Sequence, residues 1–236
     1  PLCRLTRPYD TSCTAYCTSK SRIVNIFWSQ LFRNHQGVKM SNFHICFMEQ
    51  NDIQKSAKVL SIAMLNNPHH IGIFMGNGEK ERLQIEKIFF ELFNDLPGIV
   101  FLAKENEKII GVMRMNSCIG KSSDDPDACE DEKDINWRKS VWFREWAAHD
   151  PLEQHWHLGP IGVLPSHQGM GVGSELMQRF CKEVDKCSAK AYLETDLDEN
   201  VRFYEKFGFK RISESTLFNV ENRYMLRDSQ TLKGSS

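Results

Sequence analysis

Apolar and polar positions along this chain change period several times, and each change marks an element. Phe43, Ile45 and Phe47 alternate with His44, Cys46 and Met48, the period of two expected of a half-buried strand. From Asp52, read as a helix cap, the spacing lengthens, and Ile53, Ala57, Leu60 and Met64 fall on one helical face. A second helix is predicted over residues 79–96, with Leu83, Ile85, Ile88, Phe89, Leu92 and Phe93 turned inward; Pro97 and Gly98 stop it. Two apolar runs, 99–103 and 109–115, flank the polar residues 104–108 and predict an antiparallel hairpin.

Between Asn116 and Glu153 the pattern lapses into an insertion over about residues 117–152, with an acidic run from Asp124 to Asp134. Its later part, 137–148, reads as a short helix. A connection this long is either functional or a solvated charged loop, and both readings stay open. Regular patterning then returns as a strand over 156–163, a glycine-rich turn, a helix over 171–186 and a strand over 191–195. A short helix over 199–207 ends at Gly208, suited to the left-handed position after a helix, and strands over 209–213 and 219–226 follow. Mixed elements in this order predict an α/β (α+β) domain around one sheet, spanning residues 40–228, with 229–236 as a C-terminal tail.

With 236 residues, 41% hydrophobic and 26% charged, the chain has the balance of a globular protein. A formal net charge of -1 gives no reason to expect nucleic acid or an anionic membrane as partner. No apolar run approaches the roughly 20 residues of a membrane span. The eight cysteines are scattered, without a paired spacing or a histidine cluster that would hold zinc, so no metal is expected and a reduced cytoplasmic setting is. Residues 1–39 differ: Arg4, Arg7, Lys20, Arg22, Arg33 and Lys39 face a single acid, Asp10. That segment reads as a transit-like leader, which would direct the chain to an organelle, or as an upstream translated leader or artefact before Met40.

The most informative stretch is Ile161-Gly162-Val163-Leu164-Pro165-Ser166-His167-Gln168-Gly169-Met170-Gly171-Val172-Gly173-Ser174. A strand runs into successive glycines that open a helix, so backbone N–H groups can close on an anion at the positive end of the helix dipole. A dinucleotide fold is the alternative, because Gly169-x-Gly171 follows a strand and Asp196 ends the next. Against it, the third glycine falls at Ser174, and about 40 residues after Asp196 are too few to complete a doubly wound sheet.

Val163-x-Pro165-x-x-Gln168-Gly169-x-Gly171-x-Gly173 resembles the acetyl-CoA motif of the GNAT (GCN5-related) N-acetyltransferase superfamily. Asn200-x-x-x-Tyr204-x-x-x-Gly208-Phe209 resembles the family's later signature, and the element order after Met40 also agrees. The resemblance implies a mostly antiparallel mixed sheet, flanked by helices and splayed at the acetyl-CoA site. It implies direct transfer of acetyl from the thioester to a primary amine of a small molecule. Protein or peptide acetylation and non-catalytic acyl-CoA binding are the alternatives, and a homodimer is compatible with either.

By the motif, the residues from Gln168 through Met170, Val172 and Ser174 should hold the pyrophosphate, and Ile161, Gly162 and Val163 should pair with the pantetheine arm. The Val163 N–H would face the thioester carbonyl, Tyr204 would protonate the thiolate, and Asn200 would help position the arm. Pro160 should mark a bulge where the strand splays. His157, with His155 on the same strand face, is the expected general base; Glu153 and Glu194 are the other candidates.

Overall fold

The computed structural model describes residues 42–120 and 134–230. The leader, the tail and most of the acidic run lie outside those residues. Seven strands form one sheet in the order β1-β2-β3-β4-β5-β7-β6. These are β1 His44–Phe47, β2 Ile99–Glu105, β3 Lys108–Cys118, β4 His155–Val163, β5 Lys190–Thr195, β6 Lys210–Leu217 and β7 Val220–Arg227. Only β4 and β5 run parallel; the other neighbours are antiparallel.

The helices are α1 Ile53–Met64, α2 Pro68–Phe74, α3 Glu79–Asp95, α4 Ile135–His149, α5 Val172–Lys186 and α6 Asp198–Glu205. On α5, Leu176, Met177, Phe180 and Val184 have no exposed surface, the stripe of a helix laid against a sheet. Burying each such side chain contributes about 2 kcal/mol.

Two glycines let helices approach opposite faces of the sheet. A Cβ on Gly111 of β3 would stand 2.9 Å from Val172 of α5, whereas one on Gly162 of β4 would stand 2.8 Å from Leu60 and 3.0 Å from Ala63 of α1. Gly162→Val should therefore lower the unfolding free energy by about 2 to 3 kcal/mol, because neither α1 nor β4 can retreat without opening the core. Urea unfolding followed by circular dichroism measures this.

Several expected features differ. Asp52 does not cap α1 with its side chain; its carboxylate takes Lys104 at 2.9 Å and the Glu49 N–H at 3.2 Å. Leu83 is 53% exposed, since the buried stripe of α3 runs through Ile85, Phe89 and Phe93 at strict four-residue spacing. The helix in the insertion is longer than expected, with Asp134 accepting from the Asn136 N–H at its start. Helix α2 was not anticipated. It begins at Asn67-Pro68, where the Asn67 side chain accepts from the His70 N–H and Pro68 sits where no N–H is needed.

Candidate active site

The site arises where two parallel strands part. β4 and β5 pair only at His155 with Lys190, Trp156 with Ala191 and His157 with Tyr192. Beyond that point β4 stays on β3, and β5 stays on β7 from Leu193 to Thr195. The facing edges of residues 158–163 and 193–195 are thus left without a ladder between them. The register of β3 against β4 slips here, with Met113 opposite Ile161 and Met115 opposite Leu158. That leaves one extra residue in β4 at Gly159-Pro160, the bulge expected from Pro160.

Strand alternation decides which backbone groups face the gap. The Leu164 N–H donates to the Ile110 carbonyl on β3 at 2.9 Å. One residue earlier, the N–H of Val163 therefore points the opposite way, into the splay, and Ile161 shares that direction. The Gln168 amide donates to the Val163 carbonyl at 3.1 Å and ties the glycine turn to the strand end.

At the mouth of the splay, Gly169 has φ +74° and Gly171 φ +90°, conformations that favour glycine. A Cβ on either would meet nothing within 4 Å, so these glycines serve backbone shape and an open face. Gly171 precedes α5 without a side-chain cap, and Val172, Gly173 and Ser174 supply first-turn N–H groups. Helix dipole and open N–H groups together make an anion seat that fits a pyrophosphate. Met170 is exposed on the turn, and Gly173 lies 3.7 Å (as a built Cβ) from Phe203 of α6.

Across the gap, Tyr204 on α6 is 7% exposed. Burial, reinforced by the charges of Asp196 and Glu194, pushes its phenol up, so the hydroxyl keeps its proton. Asn200 sits one turn earlier, its backbone N–H on the Leu197 carbonyl at 3.0 Å.

One face of the sheet carries a polar row into this region: Cys118 opposite His155, Asn116 opposite His157, then Tyr192 and Glu194, with Tyr224 opposite Glu194. His157 Nε2 lies 2.8 Å from Glu194 Oε2. Burial works against charge on His157, yet the Glu194 carboxylate and the neighbouring Cys118 raise it well above the ordinary imidazole value. His155 is 1% exposed, and its Nδ1 donates to the Glu153 carbonyl at 2.9 Å. Glu153 itself is an exposed partner of Lys190.

Cys118 lies against both histidines. Burial alone would raise its thiol, but hydrogen bonding and charge from His155 and His157 outweigh that and bring it down to about 7. Cys46 and Cys181 are pushed up mainly by burial, which the nearby Lys104 and Arg227 do not offset. Iodoacetamide at pH 7 should accordingly label Cys118 well before Cys46 or Cys181, as peptide mass mapping can follow.

Sequence reasoning missed the opposite wall. Asn67 Nδ2 and the His69 backbone N–H both donate to the Asp196 carboxylate, at 3.0 and 3.1 Å, pinning α2 to the end of β5. His69 Nε2 in turn donates to Asn222 Oδ1 on β7. The dipeptide Asn67-Pro68 was the one local signal for this wall, whereas Asn222 comes near only through strand pairing. Beside it, Pro68, Asp196, Asp198, Glu199, Glu221 and Arg223 line a cleft of about 380 Å³. Arg223 is held there by Asp198 at 2.7 Å and by Glu221.

The chain matches the acetyltransferase (GNAT) family over residues 67–209. Among solved structures, it is similar to the histone acetyltransferase HPA2 and related acetyltransferase of Corynebacterium glutamicum, with TM-score 0.57, 17% identity and coverage of 81% of this chain and 99% of that one. The ribosomal-protein-S18-alanine N-acetyltransferase of Escherichia coli gives TM-score 0.52 and 14% identity, over 82% and 97% of the two chains. The protein yncA of Salmonella typhimurium, solved with its cofactor acetyl-CoA, gives TM-score 0.50 and 14% identity, over 83% and 98%. With its splayed sheet, its glycine turn and a family match over more than half its length, the chain belongs to the GNAT acetyltransferase family and is an acyltransferase.

Proposed function

We propose that the chain binds acetyl-CoA in the splay and transfers acetyl directly to a primary amine of a small molecule. The observation that carries this reading is the end of β4–β5 pairing at His157 and Tyr192, with the anion seat of Gly169 to Ser174 at the open end. In this reading the pyrophosphate takes the N–H groups at the start of α5, and the pantetheine arm pairs with Ile161 to Val163 in the place a strand would fill. The Val163 N–H meets the oxygen that becomes negative as the amine adds. Tyr204 gives its proton to the departing thiolate, and Asn200 steadies the arm.

The charge of the cleft supports a cationic acceptor. Asp196, Asp198, Glu199 and Glu221 line it with Arg223 as their counter-ion, so negative charge is in excess. The described cysteines are free thiols, which suits a reducing cytoplasm, where we place the enzyme.

The test is an amine panel of diamines, polyamines, amino sugars and a lysine-containing peptide, read by free thiol released from acetyl-CoA. Turnover on small amines above the peptide supports the reading. Preference for the peptide favours protein acetylation, and acetyl-CoA binding without any turnover favours a regulator.

A further inference from the structure

We propose that His69 is the group that takes the proton from the attacking amine, with Asn222 fixing its tautomer and Trp146 of α4 edge-on against its ring. The proposal rests on the amine-acetylation reading above and assigns a residue that no motif in the sequence marks.

His69 is 4% exposed and Asn222 fully buried. Because the Asn222 oxygen is an acceptor, His69 Nε2 carries the ring proton and Nδ1 offers its lone pair. That Nδ1 is buried without a hydrogen-bond partner among the described residues, as are the Asn222 amide nitrogen and the Trp146 indole N–H. Trp146 stands edge-on to the His69 ring with centroids 6.0 Å apart, so these groups gather at one spot. Buried polar groups without partners are costly unless a ligand completes them. The spot adjoins the splay: the His69 backbone is bonded to Asp196 at the end of β5, and both Asp196 and Glu194 act on Tyr204 across the gap.

The charged and titratable groups that act on His69 are Glu194 from β5, Asp196 just after it and His70 from α2, with Arg223 of β7 bonded to the Asp196 carbonyl. Burial lowers His69 more than Asp196, Asn222 and Glu194 raise it, so it is neutral and able to accept. His157 is in the opposite condition. Paired to Glu194 and held protonated, it has no lone pair to offer.

In the step, the alkylammonium gives one proton to His69 Nδ1, and the nitrogen lone pair this frees forms the C–N bond at the thioester carbon. The C–S pair leaves with sulfur, which takes the proton of Tyr204. The tyrosinate takes the second N–H proton of the new amide through water and His69 releases its own to solvent, so the sum is alkylammonium plus acetyl-CoA giving amide, CoA thiol and one proton.

Two measurements on the full chain decide it. Long-range proton–nitrogen NMR on histidine-labelled protein at pH 7 should show His69 neutral with the proton on Nε2. Kinetics with the best alkylamine of the panel should show His69→Gln lowering kcat by about a hundredfold with little change in KM for acetyl-CoA. The residual rate should climb about tenfold per pH unit toward the amine pKa of roughly 10. Methoxyamine, already neutral at pH 7, should lose far less. Asn222→Leu should reproduce the defect in part, with a mixture of His69 tautomers in the spectrum. An imidazolium or an Nδ1-protonated ring at pH 7 would overturn the proposal, as would equal losses on both amines. Failure of every amine to react with wild type would remove the transfer reading, while the NMR result would still stand on its own for His69.

Discussion

Gly171→Asp is expected to weaken acetyl-CoA binding by about a thousandfold without unfolding the chain. Gly171 has φ +90° at the entrance of α5, and a side chain there would point into open space. Steric clash is therefore not the cause, and the core beneath, built on Val172 and Leu176, is untouched. What changes is the charge facing the anion seat. One carboxylate about 4 Å from a phosphate costs about 4 kcal/mol at an effective dielectric constant near 20. At about 1.4 kcal/mol per tenfold, that is close to three decades in Kd. Gly171→Ala separates the two effects, since it adds the left-handed strain of about 1 kcal/mol without the charge. Calorimetric titration of both variants, with melting curves as a fold check, measures the difference.

Tyr204→Phe is expected to reduce kcat by about 10³-fold while leaving the acetyl-CoA Kd within about twofold. The ring remains as packing: Tyr204 makes edge contacts with Phe203 and Phe209 at 5.4 and 6.1 Å, which phenylalanine keeps. Only the hydroxyl is lost. Because burial, Asp196 and Glu194 all disfavour the phenolate, that hydroxyl carries a proton throughout the working pH range and can supply it as the C–S bond breaks. An acetyl thioester with a more acidic thiol needs less help, so it should recover much of the rate in the variant. Equal loss of cofactor affinity and rate would instead make Tyr204 a packing residue.

How much of this was legible depended on range along the chain. The glycine turn and α5 are local: φ-demanding glycines followed by Leu176, Met177, Phe180 and Val184 state a turn and a helix face within about 15 residues. The bulge at Gly159-Pro160 was also legible, because proline cannot donate to a ladder. A splay near Pro160 was expected from the resemblance, but that His157 and Tyr192 are the last residues to pair was not legible, since it depends on two segments separated by a whole helix. His69 shows the same limit. A seven-residue helix with only His69, Ile73 and Phe74 buried gives too short a period to detect, and the meaning of His69 depends on Asn222, 153 residues away. His157 was correctly placed on β4 near the splay, but its charge state is set by Glu194 on the neighbouring strand. Asp196, which the dinucleotide alternative would make a ribose ligand, holds α2 instead.

The measurement closest to the central claim is calorimetric titration of the purified chain with acetyl-CoA, using NAD as the control ligand. The splay and the anion seat predict one acetyl-CoA site per chain in the micromolar range and no heat from NAD. Binding of NAD, or of neither ligand, would contradict the account at its root, because the turn from Gln168 to Gly173 would then not be an acetyl-CoA site.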